Sequence, residues 1–261
     1  MLTSSLDLTG RVAVITGATS GIGRAITRYF VSHGACVVAN GRHPTRLAEL
    51  ERLLDGHAGR VKCIAGDASQ QSVVETLLDT APIAFGTPAD IVVVNAGRGL
   101  LGSVISSDVE QWDALVAINL LGCARLMRAA GARLLQSGGE TSGLDHRRDL
   151  IVLGSVVARH VSPFSGVYGA TKASITSLTE SLRRELAPKG VRVTLIEPGF
   201  VESEFQSVAG YEPEWFDQVV ARIGPILQPD DVARVVGFVV SQPPHVHIND
   251  VMIRPTRQDY P

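Results

Sequence analysis

Short apolar runs alternate with longer amphipathic stretches along the chain. The short runs are rich in valine and isoleucine and are apolar at nearly every position, as expected for strands covered on both faces of a parallel sheet. We predict seven strands, at residues 11–16, 35–40, 60–66, 90–96, 149–155, 191–198 and 250–255.

The stretches between these runs carry leucine, valine or alanine at spacings of three and four, which is typical of helices with one buried face. Six helices are predicted, at residues 21–33, 44–54, 69–80, 108–136, 165–187 and 229–241. Strands and helices alternate without a linker rich in proline, glycine or serine. We therefore predict an α/β fold in which residues 1–261 form a single doubly wound domain.

Two stretches break this alternation. Residues 199–218 directly follow the sixth strand, so they lie at the carboxyl ends of the strands, where open parallel sheets bind ligands. We expect a substrate loop there, at about residues 199–225. Residues 137–148 precede a strand and are expected to form a surface insertion at the opposite edge.

Composition favours a small molecule as the partner. Apolar residues make up 45% of the chain, charged residues 19%, and the net charge is −2, which describes a globular protein without a broad basic surface for nucleic acid. The N-terminus has no basic start, and no window reaches the roughly 18 apolar residues of a membrane span. A cytoplasmic protein without membrane contact is expected.

Cysteine and histidine do not indicate a metal site. Cys36, Cys63 and Cys123 lack zinc-ligand spacing and are interpreted as small buried thiols. His245 and His247 form an HxH pair, but no further ligand types cluster beside them, so we expect no bound metal.

The sequence TGATSGIG after the first strand predicts a phosphate-binding turn. Glycine lets a pyrophosphate approach the backbone closely, and the N-terminus of the following helix offers free N–H groups. A turn that is glycine-rich only for tight packing is the alternative. The candidate cofactor residues are Gly17, Thr19, Ser20, Gly21, Ile22 and Gly23.

The end of the second strand indicates which dinucleotide binds. An acidic residue there would favour NAD, but the sequence is NGRHPTR, with Gly41 at the likely acidic position followed by Arg42. A guanidinium at this point suits the 2′-phosphate of NADP. We predict that NADP(H) is preferred over NAD(H); the alternative is that Arg42 is a solvated surface arginine.

The ends of the third and fourth strands add further candidate contacts. Asp67, followed by Ala68, either caps the next helix or contacts the adenine amino group. Asn95, Ala96 and Gly97 either bring backbone close to the cofactor ribose or form a simple turn.

The sequence YGATK places Tyr168 and Lys172 four residues apart on one helix, so their side chains lie within one turn of each other. A nearby ammonium stabilises a phenolate and is expected to lower the pKa of the tyrosine. Such a pair can act as acid and base on a carbonyl or an alcohol. The alternative is a tyrosine ring in the core with a lysine that reaches water.

Ser155 and Asn119 are further candidate residues for the site of Tyr168 and Lys172. Ser155 ends the fifth strand and faces the start of the tyrosine's helix, where its hydroxyl either bonds a substrate oxygen or forms a cap. Asn119 lies inside the predicted helix 108–136, where a buried amide needs partners, which neighbouring backbone could also supply.

The order of these motifs over the whole chain resembles the short-chain dehydrogenase/reductase family. The matching segments are TGATSGIG, NAG, Asn119, Ser155, YGATK and PGFVES. The resemblance implies a Rossmann-type, mainly parallel sheet of order 3-2-1-4-5-6-7 with helices on both faces, an NADP-dependent oxidoreductase and a homotetramer.

It also implies roles for single residues. Tyr168 would donate and accept the proton, Lys172 would lower the pKa of Tyr168 and hold the nicotinamide ribose, Ser155 would orient the carbonyl, and Asn119 would support a water relay. Pro198, Gly199, Val201 and Ser203 would contact the carboxamide end of the cofactor. The sequence departs from the family at Val94, where an asparagine is usual, which questions one local backbone hydrogen bond.

The segments expected around the substrate are mainly apolar, so we predict a mainly apolar ketone or secondary alcohol. Their apolar residues are Leu100, Leu101, Val156, Val157, Phe164, Phe200, Phe205, Tyr211, Trp215 and Phe216. Arg98, Arg159 and His160 either bind an anionic group or are solvated. Two other functions stay open: a dinucleotide-binding regulator without turnover, and an epimerase or dehydratase that uses the same tyrosine.

Overall fold

The strands form one parallel sheet, as a computed structural model that describes residues 6–137, 144–160 and 162–259 shows. The seven strands have the order β3-β2-β1-β4-β5-β6-β7, and every pair is parallel. Their bounds are β1 Val12–Ile15, β2 Cys36–Gly41, β3 Arg60–Ala65, β4 Ile91–Val94, β5 Asp149–Leu153, β6 Arg192–Pro198 and β7 Asp250–Ile253. The predicted α/β fold and strand order are confirmed.

The helices also follow the predicted alternation. They are α1 Gly21–Ser32, α2 Pro44–Leu54, α3 Gln71–Phe85, α4 Trp112–Val116, α5 Cys123–Gln136, α6 Gly166–Leu186, α7 Phe205–Ala209, α8 Pro213–Ile223 and α9 Pro229–Ser241. The predicted helix 69–80 begins two residues later and runs to Phe85. Pro82 is tolerated because it lies in the last turn, which ends when Gly86 adopts φ of 81° and donates to the Pro82 carbonyl.

The stretch 108–136, predicted as one helix, changes its winding three times. A 3-10 turn, Val109–Gln111, leads into α4, and a π-helical segment, Ala117–Gly122, separates α4 from α5. By length and composition Val109–Gln136 could cross a membrane. Its apolar face instead packs on the sheet, where Leu126, Met127 and Leu134 are buried, so this is a helix of the core.

Alternate residues of each central strand serve two separate cores. Ile15 of β1 and Ile151 of β5 face the layer of α1, α2 and α9, where Phe30 is fully buried. Val14 and Leu150, their neighbours, face the layer of α3, α5 and α6. The strands are apolar at nearly every position because both faces of the sheet are covered.

Arg11, Asp149 and Arg192, which are buried, meet the half-buried Asp90 at the amino ends of the strands. We call Arg11, Asp90, Asp149 and Arg192 the amino-edge cluster. Arg11 lies 2.5 Å from Asp90 and 2.9 Å from Asp149, and Arg192 lies 2.7 Å from Asp149. Arg192 also donates to the carbonyls of Val240, Gln242, Pro243 and Val246. The cluster therefore ties β1, β5 and β6 to the end of α9.

The predicted surface insertion, residues 137–148, has a buried end. Residues 138–143 lie outside the described residues. Arg148 is 3% exposed and donates to the carbonyls of Leu134 and Lys189. The insertion is therefore attached to the core beside the amino-edge cluster.

Candidate active site

A cleft of about 470 Å³ opens at the carboxyl ends of the strands. Nearly all predicted site residues line it: Gly17, Thr19, Ser20, Gly21, Ile22, Arg42, Asp67, Ala68, Asn95, Ala96, Gly97, Ser155, Tyr168, Lys172, Pro198, Gly199, Val201 and Ser203. Gly23 and Asn119 lie behind its wall. The fold thus brings residues from six strand ends and two helix starts to one place.

The glycine turn between β1 and α1 leaves backbone N–H groups free for a ligand. Gly17 has φ of 68°, a conformation that suits glycine. A Cβ on Gly23 would lie 2.3 Å from the Gly17 carbonyl oxygen, so this position serves the close packing of the turn. Ser20 caps α1 without a side-chain hydrogen bond, which leaves the first N–H groups of α1 available.

Asn95 fastens the end of β4 to this turn. Its side-chain amide donates to the carbonyls of Thr16, at 2.8 Å, and Gly17, at 3.3 Å. The Thr16 hydroxyl accepts in return from the backbone N–H groups of Asn95 and Ala96, both at 3.1 Å. Thr16 was not among the predicted residues, although it directly precedes the first glycine of the turn.

The end of β2 presents positive charge to the cleft. Gly41 stands where an acid would favour NAD, and a Cβ there would lie 2.3 Å from Thr19 Cγ2. Arg42 is exposed, and Arg46 in the first turn of α2 lies 2.6 Å from Glu204 of the substrate loop. Arg46 was missed from the sequence, although it follows Arg42 by four residues. This ion pair bridges the two sides of the cleft.

Asp67 forms a hydrogen bond within its own loop. Its carboxylate accepts from the backbone N–H of Ser69 at 2.9 Å. The following helix begins only at Gln71, so Asp67 is not its cap. The carboxylate also lines the cleft, so an adenine contact stays a prediction.

Tyr168 and Lys172 lie one turn apart on α6, each 7% exposed. The lysine ammonium donates to the Leu153 carbonyl at the end of β5, at 2.8 Å. The tyrosine ring packs against Phe205, with ring centroids 5.5 Å apart. Both side chains are therefore held by tertiary contacts and line the same part of the cleft.

Burial is the largest influence on the pKa values of this pair. It raises the pKa of Tyr168, while a hydrogen bond with Ser155 acts in the opposite direction. Burial also lowers the pKa of Lys172, against a weaker effect of Cys123. The direction for Tyr168 is the opposite of the predicted one, because desolvation outweighs the favourable contacts and the ammonium is bound to Leu153.

Ser155 is a cap, and its predicted bond to a substrate oxygen stays a prediction. Its backbone begins a short 3-10 turn, Val156–Ala158, and its hydroxyl accepts weakly from the Val157 N–H at 3.4 Å. The same hydroxyl contacts the phenol of Tyr168. Ser155, Tyr168 and Lys172 thus converge beside the glycine turn in one cleft.

Asn119 is fully buried in the π-helical segment and bonds to neighbouring backbone. Its oxygen accepts from the Arg98 N–H at 2.9 Å, and its amide donates to the Arg98 carbonyl at 2.8 Å and to Thr171 at 3.2 Å. This is the structural alternative named above. It positions the strand-end turn that follows Gly97, and a water relay through Asn119 stays a prediction.

The wall beyond Tyr168 is mainly apolar. Eight of the ten predicted apolar residues line the cleft: Leu101, Val156, Val157, Phe164, Phe200, Phe205, Tyr211 and Trp215. Leu100 and Phe216 pack behind it. Polar residues that sequence reasoning missed also line it, among them Ser162, Ser165, Gln206 and Gln258. Gln258 comes from the segment after β7, which gave no motif.

The candidate anion-binding side chains have partners within the protein. Arg159 lies 2.6 Å from the buried carboxylate of Glu197, and His160 lies 3.1 Å from Arg254. Arg98 lines the cleft and bonds to Gln111. His247 of the HxH pair contacts the backbone of Val193, and no metal-ligand cluster occurs within the described ranges.

Comparison with known proteins gives one consistent result. The model of the short chain dehydrogenase family matches residues 11–212. An uncharacterized oxidoreductase of Staphylococcus epidermidis is 35% identical over 246 residues, which cover 94% of this chain and 97% of the relative.

Two solved structures are similar along nearly the whole chain. A serine dehydrogenase complexed with NADP+ is 32% identical with a TM-score of 0.80, covering 95% of this chain and 96% of that one. The 3-ketoacyl-(acyl-carrier-protein) reductase of Brucella melitensis complexed with NADH is 28% identical with a TM-score of 0.82, covering 96% and 99%. With its sheet order, its glycine turn and its converging side chains, the chain belongs to the short chain dehydrogenase family of oxidoreductases.

Proposed function

We propose that the protein is an NADP(H)-dependent oxidoreductase that transfers a hydride between nicotinamide and a mainly apolar ketone or secondary alcohol. The observation that carries this proposal is the convergence of Ser155, Tyr168 and Lys172 in the cleft that the glycine turn opens into. The free N–H groups at the start of α1 suit a pyrophosphate, and the left-handed backbone of Gly17, with φ of 68°, shapes the turn that leads to them.

The dinucleotide supplies the hydride when bound, and the protein supplies position and a proton. Gly17, Ser20 and Gly21 would hold the phosphates, and Asn95, Ala96 and Gly97 would face the ribose. Lys172, only one turn from Tyr168, would bind the nicotinamide ribose. Pro198, Gly199, Val201 and Ser203 would flank the carboxamide end, because Pro198 ends β6 and the other three follow it at the same edge.

Tyr168 would be the proton donor in reduction. Because burial raises the pKa of its phenol, the side chain is protonated at neutral pH and can donate a hydrogen bond to a ketone oxygen. Ser155 would hold the same oxygen. When the carbonyl carbon is reduced, the phenol proton of Tyr168 would pass to the carbonyl oxygen, and the Lys172 ammonium would stabilise the phenolate left behind.

The preference for NADP(H) rests on the charges at the end of β2. Arg42 and Arg46 both line the cleft and would contact a 2′-phosphate, and Gly41 carries no carboxylate to repel it. Neighbouring structures differ, since one binds NADP+ and another NADH. The proposal is therefore tested on this chain by comparing the Kd values of NADPH and NADH, and a tenfold or greater preference for NADH would contradict it.

The activity test is incubation with NADPH and a panel of ketones while the absorbance of the reduced nicotinamide is followed. We expect oxidation of NADPH with mainly apolar ketones. No oxidation with any ketone would favour a regulator without turnover. Product formed without net oxidation would favour an epimerase or dehydratase.

We also propose a homotetramer in the cytoplasm. Val109, Leu121 and Leu178 expose 66%, 46% and 38% of their area on α6 and the stretch from 109 to 136, as expected where helices of two subunits pack. Cys36, Cys63 and Cys123 are free thiols, which agrees with a reducing compartment. Light scattering of the purified protein tests the tetramer, and a monomer at micromolar concentration would contradict it.

A further inference from the structure

Gln258 is a buried amide that lines the cleft with one half of its hydrogen-bonding capacity unused. The side chain is 6% exposed and lies in the turn that follows β7, where its backbone N–H donates to Pro255. Its Nε2 atom is buried and has no hydrogen-bond partner among the residues that the structure describes. A buried donor without a partner costs stability, so it needs an explanation.

The orientation of this amide is set by its oxygen. Oε1 accepts from the backbone N–H of Phe200 at 3.0 Å. Rotating the amide by half a turn would place its NH2 group against that N–H, two donors facing each other, so the NH2 group is the half left over. Gly199 allows this packing, since a Cβ there would lie 2.2 Å from Oε1.

Gln258 lines the same cleft as Ser155, and the strand register relates their positions. Leu153 of β5 pairs with Ile196 of β6, and the Gly154 N–H still donates to the Ile196 carbonyl at 2.7 Å. Continued for two residues, this register places Ser155 beside Pro198. Gln258 packs on Gly199, the residue that follows. Neighbouring strands are about 4.8 Å apart. A ketone oxygen held by Ser155 and a second oxygen near Gln258 would thus be separated by about one strand spacing.

We propose that Gln258 is a specificity-determining residue whose NH2 group binds a hydrogen-bond acceptor of the substrate, one carbon removed from the reacting carbonyl. The substrate class is then a 3-oxo ester, 3-oxo acid or related 1,3-dioxygenated compound, with an apolar remainder in the pocket of Phe205, Tyr211 and Trp215. This inference rests on the proposed reductase function and refines its substrate.

The experiment compares two ketones of equal chain length. Ethyl 3-oxobutanoate carries an ester acceptor one carbon from the ketone, and heptan-2-one replaces it by methylenes. For the wild-type protein with NADPH we expect kcat/KM to favour the oxo ester by at least about tenfold, the scale of one well-placed hydrogen bond in a buried site.

Two variants separate the donor of Gln258 from its acceptor. Gln258→Glu keeps an oxygen for the Phe200 N–H and removes the donor, whereas Gln258→Met removes both. We expect the ratio of kcat/KM values, oxo ester over heptan-2-one, to fall at least about tenfold in both. Gln136→Glu, the same change at an exposed position of α5, is the matched control and should keep the wild-type ratio. An equal fall for both ketones, or no fall in the ratio, would overturn the assignment.

A binding measurement keeps this inference separate from the proposed function. NADP+ carries no hydride to give, so ketone affinity for the NADP+ complex can be titrated by saturation-transfer NMR whether or not the protein turns ketones over. Tighter binding of the oxo ester that both variants lose supports the role of Gln258 even if NADPH is never oxidised. Ketone reduction without that difference in affinity supports the reductase and removes the role of Gln258.

Discussion

At the amino edge of the sheet, Arg11, Asp90, Asp149 and Arg192 meet one another, whereas at the carboxyl edge Tyr168 and Lys172 are equally buried but face a cleft. Burial disfavours the charged form in both places. At the amino edge burial acts to lower the pKa of Arg11, but Asp90 and Asp149 together raise it, whereas burial still raises the pKa of Asp90. At the carboxyl edge burial shifts the pKa values of Tyr168 and Lys172, and the NH2 group of Gln258 has no partner within the described part of the chain.

The difference shows how buried polar groups divide between stability and function. A polar group whose partners all belong to the protein holds the fold, and its loss destabilises it. A polar group with capacity left over is available to a ligand, so its loss is expected to alter binding or rate. Substitutions at the carboxyl edge should therefore lower activity, and substitutions at the amino edge should lower stability.

The largest effect is expected for Tyr168→Phe. The phenyl ring keeps the packing against Phe205 but loses the only proton that the proposed reaction can draw from this position, so kcat should fall by about 100-fold or more. NADPH affinity and the urea midpoint should stay near wild type. Tyr29→Phe on α1, where the ring packs on His33, is the control. Retention of more than about a tenth of kcat would contradict the role of Tyr168.

Asp149→Asn should destabilise the protein at the amino-edge cluster. It leaves Arg11 and Arg192 buried with one carboxylate fewer, so we expect the free energy of unfolding to fall by about 3–5 kcal/mol. Urea denaturation measures this loss, with exposed Asp113→Asn as the control. The folded fraction should keep its kcat. A loss below about 1 kcal/mol would show that the amino-edge cluster behaves like a surface ion pair.

Arg42→Ala tests an exposed charge on the cleft side. One charge-assisted contact with the 2′-phosphate would be removed, so the Kd of NADPH should rise by about tenfold while that of NADH changes little. Fluorescence titration gives both values. Arg28→Ala, an exposed arginine on the outer part of α1, should alter neither. Equal weakening of both dinucleotides would assign Arg42 to general electrostatic attraction instead.

The smallest effect concerns pH and His247, which contacts β6 near the amino edge. Burial lowers the pKa of His247 below its unfolded value of about 6.5, against the effect of its backbone contact with Val193. The unfolded chain then binds the proton more readily than the folded protein. The folded state therefore keeps its full stability above pH about 6.5 and loses stability as the pH falls below that value. The fall in urea midpoint between neutral and acidic pH should shrink in His247→Gln, and exposed His57→Gln should leave it unchanged.

Much of the site could be predicted because its signals are local. The glycine turn is specified by backbone conformations and close approaches within a few residues, and the pairing of Tyr168 with Lys172 follows from helix geometry alone. The two helices of the substrate loop were missed. The five residues of α7 are too few for a periodic pattern, whereas α8 is as long as α2 but was interpreted as a loop that carries aromatic pocket residues.

Sequence periodicity by itself determined the seven strands, their alternation with helices and the edge at which the motifs gather, because an apolar repeat and a strand end are properties of neighbouring residues. Only the tertiary structure decided that Asn119 bonds to Arg98, that burial raises the pKa of Tyr168, and that Gln258 reaches the cleft. It also decided the pairing at the amino edge. These features depend on residues brought together from distant parts of the chain, and desolvation and hydrogen-bond satisfaction are set by that three-dimensional surrounding.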